Sequence, residues 1–485
     1  MGGKDRLPVS DAAAVVADLI ARARAAQAAF DAATQEEVDE VVTGVGWSIV
    51  DPEHNLALAE LAVQDTGLGN VADKIAKNRR KTMGLLRDLA QAKSVGIIHE
   101  DPALGLVEIA RPVGVVAAIT PSTNPAATPA NNIINALKGR NAVIVAPSPK
   151  GASTLSLLLS YVHAELDRVG VPRDLVQALP APVTREMTNE LMRQVDLVVA
   201  TGSQTNVRGA YASGSPAIGV GVGNVAVIVD ETADPSDAAE KIARSKIFDF
   251  ATSCSSENSV IAVEPVAEEL LATLAANGGV LLEPAEARAL ERAMFVDGHP
   301  ASSFVAQSAR AIALRAGLSR PALLDASFLV VAETGVGRAH PFSGEKLSPV
   351  LAFYRAPDFT AARALAERLL HYQGAGHSIG LHSRDERRAV ELGLTLPVCR
   401  VIVNQAHCFA TGGSFDNALP FSLSMGCGTW GRNSISDNLN YRHFLNIARV
   451  VRPLEPSRVH EPTEEELFGR YLRKYARGSG RKSGA

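Results

Sequence analysis

The chain has 485 residues, of which 46% are hydrophobic and 21% are charged, the composition of a globular protein of about two or three domains. Its 48 basic and 52 acidic residues leave a net charge of −4, which excludes nucleic-acid binding driven by bulk charge. No apolar run is long enough for a membrane span and no secretion signal is read, so we expect a cytoplasmic protein without a membrane partner.

The first 90 residues have the pattern of a helical layer. Residues 12–33 are nearly all helix formers, and their apolar positions fall on one stripe. Three more helices are predicted, over 34–42, 55–64 and 70–89. Two β-prone segments, 94–98 and 105–110, follow with turn residues between them and predict a hairpin.

Alternating strands and helices dominate the chain after the hairpin. Continuous apolar runs, the form of strands covered on both faces, are predicted at 113–119, 142–146, 176–179, 197–200 and 225–229. Such alternation indicates parallel crossovers and a doubly wound α/β sheet within residues 1–229. A second α/β domain is expected over 230–429, a return segment over 430–469 and a flexible basic tail over 470–485.

Four cysteines occur, and none belongs to a CxxC or to a His/Cys pair with metal-ligand spacing. We therefore expect neither a metal site nor a disulfide framework. Cys254 differs from the others, since it lies among small polar residues between a predicted helix and a predicted strand. That setting fits an accessible nucleophile, although the pattern alone leaves a packed core thiol open.

Three loops that follow predicted strands carry polar residues suited to ligand binding. Asn124 follows the first strand, where its amide has the chemistry of an oxyanion donor or of an ordinary turn residue. Thr201-Gly202-Ser203 opens a helix, and backbone amides at such a position bind pyrophosphate, although the segment is not GxGxxG. Pro147-Ser148-Pro149-Lys150 follows the second strand, where an adenosine ribose would lie in such a sheet.

The order of these motifs, continued by Glu345-Lys-Leu-Ser-Pro349, resembles the aldehyde dehydrogenase superfamily over essentially the whole chain. The resemblance implies two doubly wound α/β domains and a β-hairpin that pairs subunits, here the segment 94–110, in a homodimer or homotetramer. It implies that Cys254 attacks an aldehyde and that Asn124 holds the oxyanion. The residues implied to bind the cofactor are Thr120, Pro121, Ser148, Lys150, Thr201, Gly202, Ser203 and Glu345.

Two departures from the superfamily pattern indicate its CoA-acylating branch. Hydrolytic members have a water-activating Glu where this chain has Val220, which cannot act as a base. Pro149 replaces the Glu that contacts the adenosine ribose, and the segment Leu423–Asn438 also resembles acylating enzymes. CoA is thus the implied co-substrate. A hydrolytic enzyme with another base and a catalytically silent protein on this fold are the alternatives.

The resemblance also indicates the substrate and the remaining roles. His377 is a candidate base for the CoA thiol or a structural histidine. Without a Glu at the ribose, Lys150 with Ser148 and Ser153 favours NADP, and NAD is the alternative. The expected substrate is a short aldehyde with an anionic end, sulfoacetaldehyde first and succinate semialdehyde second, with acetaldehyde as the neutral alternative. No motif residue supplies the cation for that anion.

Overall fold

The computed structural model describes residues 9–475, with side chains from Asp11 onward. Among the described residues, one compact unit contains 9–94 together with Arg111–Asn446, and a second contains Val95–Ala110 and 447–475. Among the helices of the described residues, none has the length and apolar character needed to cross a membrane.

The helices are bounded as follows: α1 (Val9–Phe30), α2 (Gln35–Val50), α3 (Pro52–Thr66), α4 (Val71–Leu89), α5 (Ala127–Lys138), α6 (Ala152–Arg168), α7 (Arg185–Gln194), α8 (Gln204–Tyr211), α9 (Pro235–Ile247), α10 (Glu264–Ala276), α11 (Pro284–Met294), α12 (Ala309–Arg315), α13 (Pro321–Leu324), α14 (Phe359–Tyr372), α15 (Glu386–Thr395), α16 (His407–Ala410) and α17 (Glu464–Tyr475). The four helices predicted before residue 90 correspond to α1–α4. The starts of α2, α3 and α4 are explained by caps, since the side chains of Thr34, Asp51 and Asn70 accept backbone N–H groups of these helices.

The strands are β1 (Gly96–Asp101), β2 (Leu106–Pro112), β3 (Val115–Ile119), β4 (Ala142–Ala146), β5 (Val176–Ala178), β6 (Leu197–Ala200), β7 (Ala217–Gly219), β8 (Val225–Val229), β9 (Glu257–Val263), β10 (Gly279–Leu281), β11 (Phe295–Val296), β12 (His299–Pro300), β13 (Phe328–Ala332), β14 (Val350–Ala356), β15 (Ile379–His382), β16 (Val401–Val403) and β17 (Leu445–Val451). The strands β3, β4, β6 and β8 are buried along their whole length, as the continuous apolar runs predict.

Two parallel sheets form the core of the larger unit, which confirms the expected α/β fold. The first has the order β5-β4-β3-β6-β7 and the second the order β10-β13-β14-β9-β8-β15-β16. In the first sheet the chain moves to one side of β3 and then returns to the other side through β6. Ligands bind outside the carboxyl ends of strands at such a reversal, so the loops after β3 and β6 are the expected site.

The strand β8 corrects the sequence-based division of the chain. Its apolar run predicts a strand of the first domain, but β8 pairs with β9 and β15 of the second sheet. The short strand β7, which the pattern did not predict, forms the edge of the first sheet instead. A fully apolar strand has the same sequence pattern in either sheet, so the pattern could not assign it. The segment Val220–Asn224 thereby links the two sheets.

The smaller unit contains the predicted hairpin. Strands β1 and β2 pair antiparallel, with Ile97 opposite Ile109, and β17 joins them in a three-stranded sheet. The expected tail from Arg470 is wrong for its first residues, because α17 continues to Tyr475. Glutamates in its first turn and Arg473 and Lys474 in its last turn complement the helix dipole. Residues 476–485 of the predicted tail lie outside the described residues.

Candidate active site

A cavity of about 490 Å³ lies where the loops after β3, β4 and β6 meet the loop before β9. It brings together most of the residues that the sequence singles out. Those that line it are Thr120, Pro121, Asn124, Ser148, Thr201, Gly202, Ser203, Cys254 and Glu345. Because these residues come from five separate segments of the chain, their convergence is a property of the fold rather than of any local motif.

The loop that carries Cys254 is held in an unusual backbone conformation. Asp249, Phe250 and Ala251 have φ angles of 50°, 49° and 57°, a backbone region that residues other than glycine seldom adopt. Such conformations persist where the surroundings enforce them, and they cluster at functional sites. Gly223 faces the end of this loop, where an added Cβ would overlap the carbonyl oxygen of Cys254. A glycine at 223 is therefore needed for the Cys254 backbone to approach.

The environment of Cys254 in this structure favours the protonated thiol. Burial raises its pKa to about 12, and the nearby Glu345 carboxyl adds to the shift. Burial likewise raises the pKa of Glu345 to about 8. Thiolate formation thus requires a change of environment or a proton acceptor when ligands bind.

A buried ionic cluster supports the strained loop. The Asp249 carboxylate is fully buried and accepts from Lys74 Nζ at 3.1 Å, from Lys77 Nζ at 2.5 Å and from Thr252 Oγ1 at 2.7 Å. Its other oxygen accepts the Asn70 backbone N–H at 3.0 Å. Burial alone would raise the pKa of Asp249, but the two lysines outweigh it and hold the pKa below its ordinary value. Helix α4 is thereby fixed to the loop that carries Cys254.

The same cluster orients the side chain of Asn124. Lys77 Nζ donates to Asn124 Oδ1 at 2.9 Å. An ammonium has no acceptor, so this bond fixes which end of the amide faces Lys77 and leaves the amide N–H groups for another partner. Asn124 lines the cavity together with Cys254, so its free donors are available to an oxyanion formed there.

The loops after β4 and β6 fit a dinucleotide. Ser148 Oγ and Gln204 Nε2 are buried, line the cavity and have no hydrogen-bond partner among the described residues. Ser203 caps α8 by accepting the Asn206 N–H, and Gly202 has a φ of 143° that favours glycine. Backbone amides at the N-terminus of a helix bind a pyrophosphate, and unused donors beside them bind its sugars. Both kinds of group lie here at the carboxyl edge of the sheet.

The structure does not bring Lys150, Ser153 or His377 to the cavity lining. Lys150 is exposed on the turn before α6, and Ser153 Oγ donates to Asp65 at 2.6 Å. His377 is buried, with Nδ1 2.7 Å from Ser378 Oγ, and burial with the nearby Arg400 lowers its pKa to about 3. These contacts fit the structural alternative for His377 better than a base acting on CoA.

Val220 lies at the cavity, as the hypothesis of a CoA-acylating enzyme requires. It lines the pocket next to Gly221 and Gly223, and it is 8% exposed. An alkyl side chain there neither accepts a proton nor orders a water. The position at which the family resemblance implies a water-activating Glu in hydrolytic enzymes is thus occupied by an inert group.

Sequence reasoning missed the lysines of α4. Lys74, Lys77 and Lys81 are buried, and Lys81 lines the cavity. Their i, i+3, i+7 spacing places them on one face, in line with Leu85 and Leu89, which are also buried. Basic residues that continue the apolar stripe of a helix were the available signal, because lysine is seldom buried without a specific partner.

Comparison with known proteins agrees with this geometry. The aldehyde dehydrogenase family profile matches residues 6–280. An acylating sulfoacetaldehyde dehydrogenase from Cupriavidus necator is 60% identical over 96% of this chain and 94% of its own. That degree of identity over nearly the full length exceeds what a shared fold alone explains.

Two solved structures are similar over most of the chain. An acetylating aldehyde dehydrogenase from Geobacillus thermoglucosidasius has a TM-score of 0.89 and 36% identity, covering 94% of this chain and 100% of its own. A propionaldehyde dehydrogenase from Rhodopseudomonas palustris, solved with bound CoA and an acylated cysteine, has a TM-score of 0.79 and 26% identity, covering 90% and 97%.

Proposed function

This chain belongs to the aldehyde dehydrogenase family, and from that premise we propose that it converts sulfoacetaldehyde and CoA into the acyl-CoA thioester with reduction of NAD(P)⁺. One observation carries the proposal. Cys254 and Asn124 line one cavity, and the residue that replaces the water-activating Glu in that cavity is Val220. The acylated cysteine of the Rhodopseudomonas palustris relative supports a thioester of this kind.

The chain's own residues account for the chemistry at the aldehyde carbon. The sulfur of Cys254 adds to the carbonyl, and the resulting oxyanion accepts from the Asn124 amide. A bound nicotinamide dinucleotide supplies the hydride acceptor. Collapse of the adduct leaves an acyl group on Cys254 as a thioester. Because Val220 activates no water, the thioester persists until the CoA thiol attacks it, which releases the product and restores Cys254.

The substrate is supported by the relative and by the polar character of the site. The Cupriavidus necator enzyme acts on sulfoacetaldehyde, and Ser253 and Ser255 beside Cys254 line the cavity together with Gly412. A site built for a polar group rejects an analogue without it strongly, because the site's own polar atoms stay unpaired. Succinate semialdehyde is the second candidate, since it shares the short chain and the anionic end.

The substrate is tested by the rate of NAD(P)H formation in the presence of CoA. We expect kcat/KM to be highest for sulfoacetaldehyde, then succinate semialdehyde, with acetaldehyde and propanal at least about tenfold lower. Mass spectrometry of the product distinguishes the acyl-CoA from a free acid. Equal or higher kcat/KM for the two neutral aldehydes would replace the proposal with a general acetaldehyde-type enzyme.

Omission of CoA tests the acylating step. Without CoA, the enzyme is expected to form about one reduced cofactor per active site and then stop, because the thioester has no nucleophile. Val220→Glu restores a carboxylate at the cavity and should raise the CoA-independent steady rate, whereas Val220→Gln, which has the same shape and no base, should not. Sustained acid production by the unaltered enzyme without CoA would favour the hydrolytic alternative.

The choice between NADP and NAD depends on two opposite charges near the start of α6. We propose NADP, with Lys150 as the cation for the 2′-phosphate, while the Asp65 carboxylate bound by Ser153 opposes it. Lys150→Met should lower kcat/KM for NADP at least about tenfold more than for NAD. An equal effect on both cofactors, or a strong NAD preference of the unaltered enzyme, would remove Lys150 from this role.

We further propose that the smaller unit joins subunits in a homodimer or homotetramer. Two of its features support this. The strand β1 presents Ile97 at 54% exposure, and the helix α17 presents a row of exposed apolar side chains. That row comprises Leu467, Phe468, Tyr471, Leu472 and Tyr475. Exposed apolar patches of this kind are typical of interaction surfaces.

A further inference from the structure

We propose that Lys81 binds the anionic end of the aldehyde substrate and thereby sets the preference for a sulfonate or carboxylate over a neutral chain. The inference rests on the proposed function, because it assumes that the aldehyde carbon reaches Cys254. It assigns the cationic contact that no motif of the sequence supplies.

Lys81 is the only Lys or Arg among the described residues that line the cavity. The same lining contains one carboxyl group, that of Glu345, and the remaining residues are neutral or are the thiols Cys254 and Cys408. A short aldehyde bound with its carbonyl at Cys254 has its sulfonate in this enclosure. A buried anion without a cation is costly, so the lysine in the same cavity is its natural partner.

The ammonium of Lys81 is buried with hydrogen-bonding capacity to spare. Lys81 as a whole is 8% exposed, and its Nζ donates to the Gly412 carbonyl at 2.7 Å. The Phe421 ring lies 5.6 Å from Nζ. No carboxylate pairs with Lys81 among the described residues, in contrast to Lys74 and Lys77, which both pair with Asp249. An ammonium has three donors, and within the part of the chain that the structure describes one of them has an acceptor.

The chain around Gly412 leaves space for the buried ammonium of Lys81. A Cβ at position 412 would lie 2.7 Å from Lys81 Nζ and 2.6 Å from the Ser422 carbonyl oxygen, so only glycine leaves room for this contact. Burial, followed by the neighbouring Arg80, lowers the pKa of Lys81 to about 7. A bound anion offsets both effects and favours the charged lysine. The site therefore gains a stabilising partner when an anionic aldehyde enters.

Substitution at Lys81 tests the inference through a change of preference rather than a loss of activity. Lys81→Met removes the charge and keeps the length. We expect kcat/KM for sulfoacetaldehyde with CoA to fall about 100-fold or more, chiefly through KM, and kcat/KM for propanal to stay within about threefold. Lys81→Arg retains the charge and should recover part of the preference for sulfoacetaldehyde.

The matched control is Arg79→Met, which removes a positive charge from an exposed position of the same helix. It should leave the ratio of kcat/KM for the two aldehydes unchanged. The Michaelis constants for CoA and NAD(P) are measured in every variant, because both ligands carry phosphates that Lys81 would also attract. Thermal unfolding checks that Lys81→Met is folded, and its activity on propanal is the second check.

Each outcome decides for or against the inference. Selective loss of the anionic substrate supports it. Equal loss for sulfoacetaldehyde and propanal assigns Lys81 to the chemistry or to the fold, and a raised KM for CoA or NAD(P) alone assigns it to their phosphates; either overturns the inference. If the unaltered enzyme shows no preference for anionic aldehydes, the proposed substrate fails as well. If it shows the preference and Lys81→Met retains it, the Lys81 inference alone fails.

Discussion

We expect Cys254→Ala to abolish both aldehyde oxidation and acyl-CoA formation. The sulfur is the atom that forms the bond to substrate, so its removal leaves no route to the thioester, whereas removal of a supporting group only slows the reaction. The cavity keeps its other lining residues, so NAD(P) binding measured by fluorescence titration should persist. Intact-protein mass spectrometry gives a second measurement, because the acylated species seen without CoA should disappear in the variant.

The matched control for this substitution is Cys399→Ala. Cys399 is partly exposed and does not line the cavity, so the same change of atoms there should leave kcat within about twofold. Cys408 is a poorer control, since it lies at the cavity itself. Substantial turnover by Cys254→Ala, with Cys399→Ala unchanged, would end the covalent mechanism.

The functional loops were predictable because each is defined by a local pattern. A buried strand has a continuous apolar run in its sequence, and the polar residues that follow it lie at the carboxyl edge of a parallel sheet. That rule alone placed Asn124 and Thr201 near one another, and the structure brings both to the cavity of Cys254. The resemblance to a family then supplied the roles, which no single motif specified.

The supporting groups were not predictable because they depend on contacts between distant segments. Asp249 meets Lys77 across 172 residues of sequence, and Lys81 meets Gly412 across 331. Before the fold is known, a lysine on a helix is expected to be solvent-exposed, since burial is rare for this residue. The partner of Ser153 was not predictable for the same reason, since its hydroxyl donates to Asp65 of α3.

Asn124→Ala should lower kcat by roughly 10² to 10³, the usual cost of removing one oxyanion donor. The ground state makes little use of this donor, so the Michaelis constants and the affinity for NAD(P) should change much less than kcat. Pre-steady-state formation of NAD(P)H is the measurement, because it reports the steps at the aldehyde carbon without the later attack by CoA.

The contacts of Asn124 separate this role from that of a turn residue. Its backbone carbonyl accepts the Thr128 N–H at 3.2 Å, and this bond survives in alanine, while its side chain is held by Lys77 at 2.9 Å. The turn alternative thus predicts an unchanged kcat for Asn124→Ala. Lys77→Met frees the Asn124 amide to rotate and should also lower kcat. In the Asn124→Ala background the same substitution should lower kcat much less, because the amide that Lys77 orients is gone. Additive losses would mean that Lys77 acts through Asp249 and the nucleophile loop instead of through Asn124.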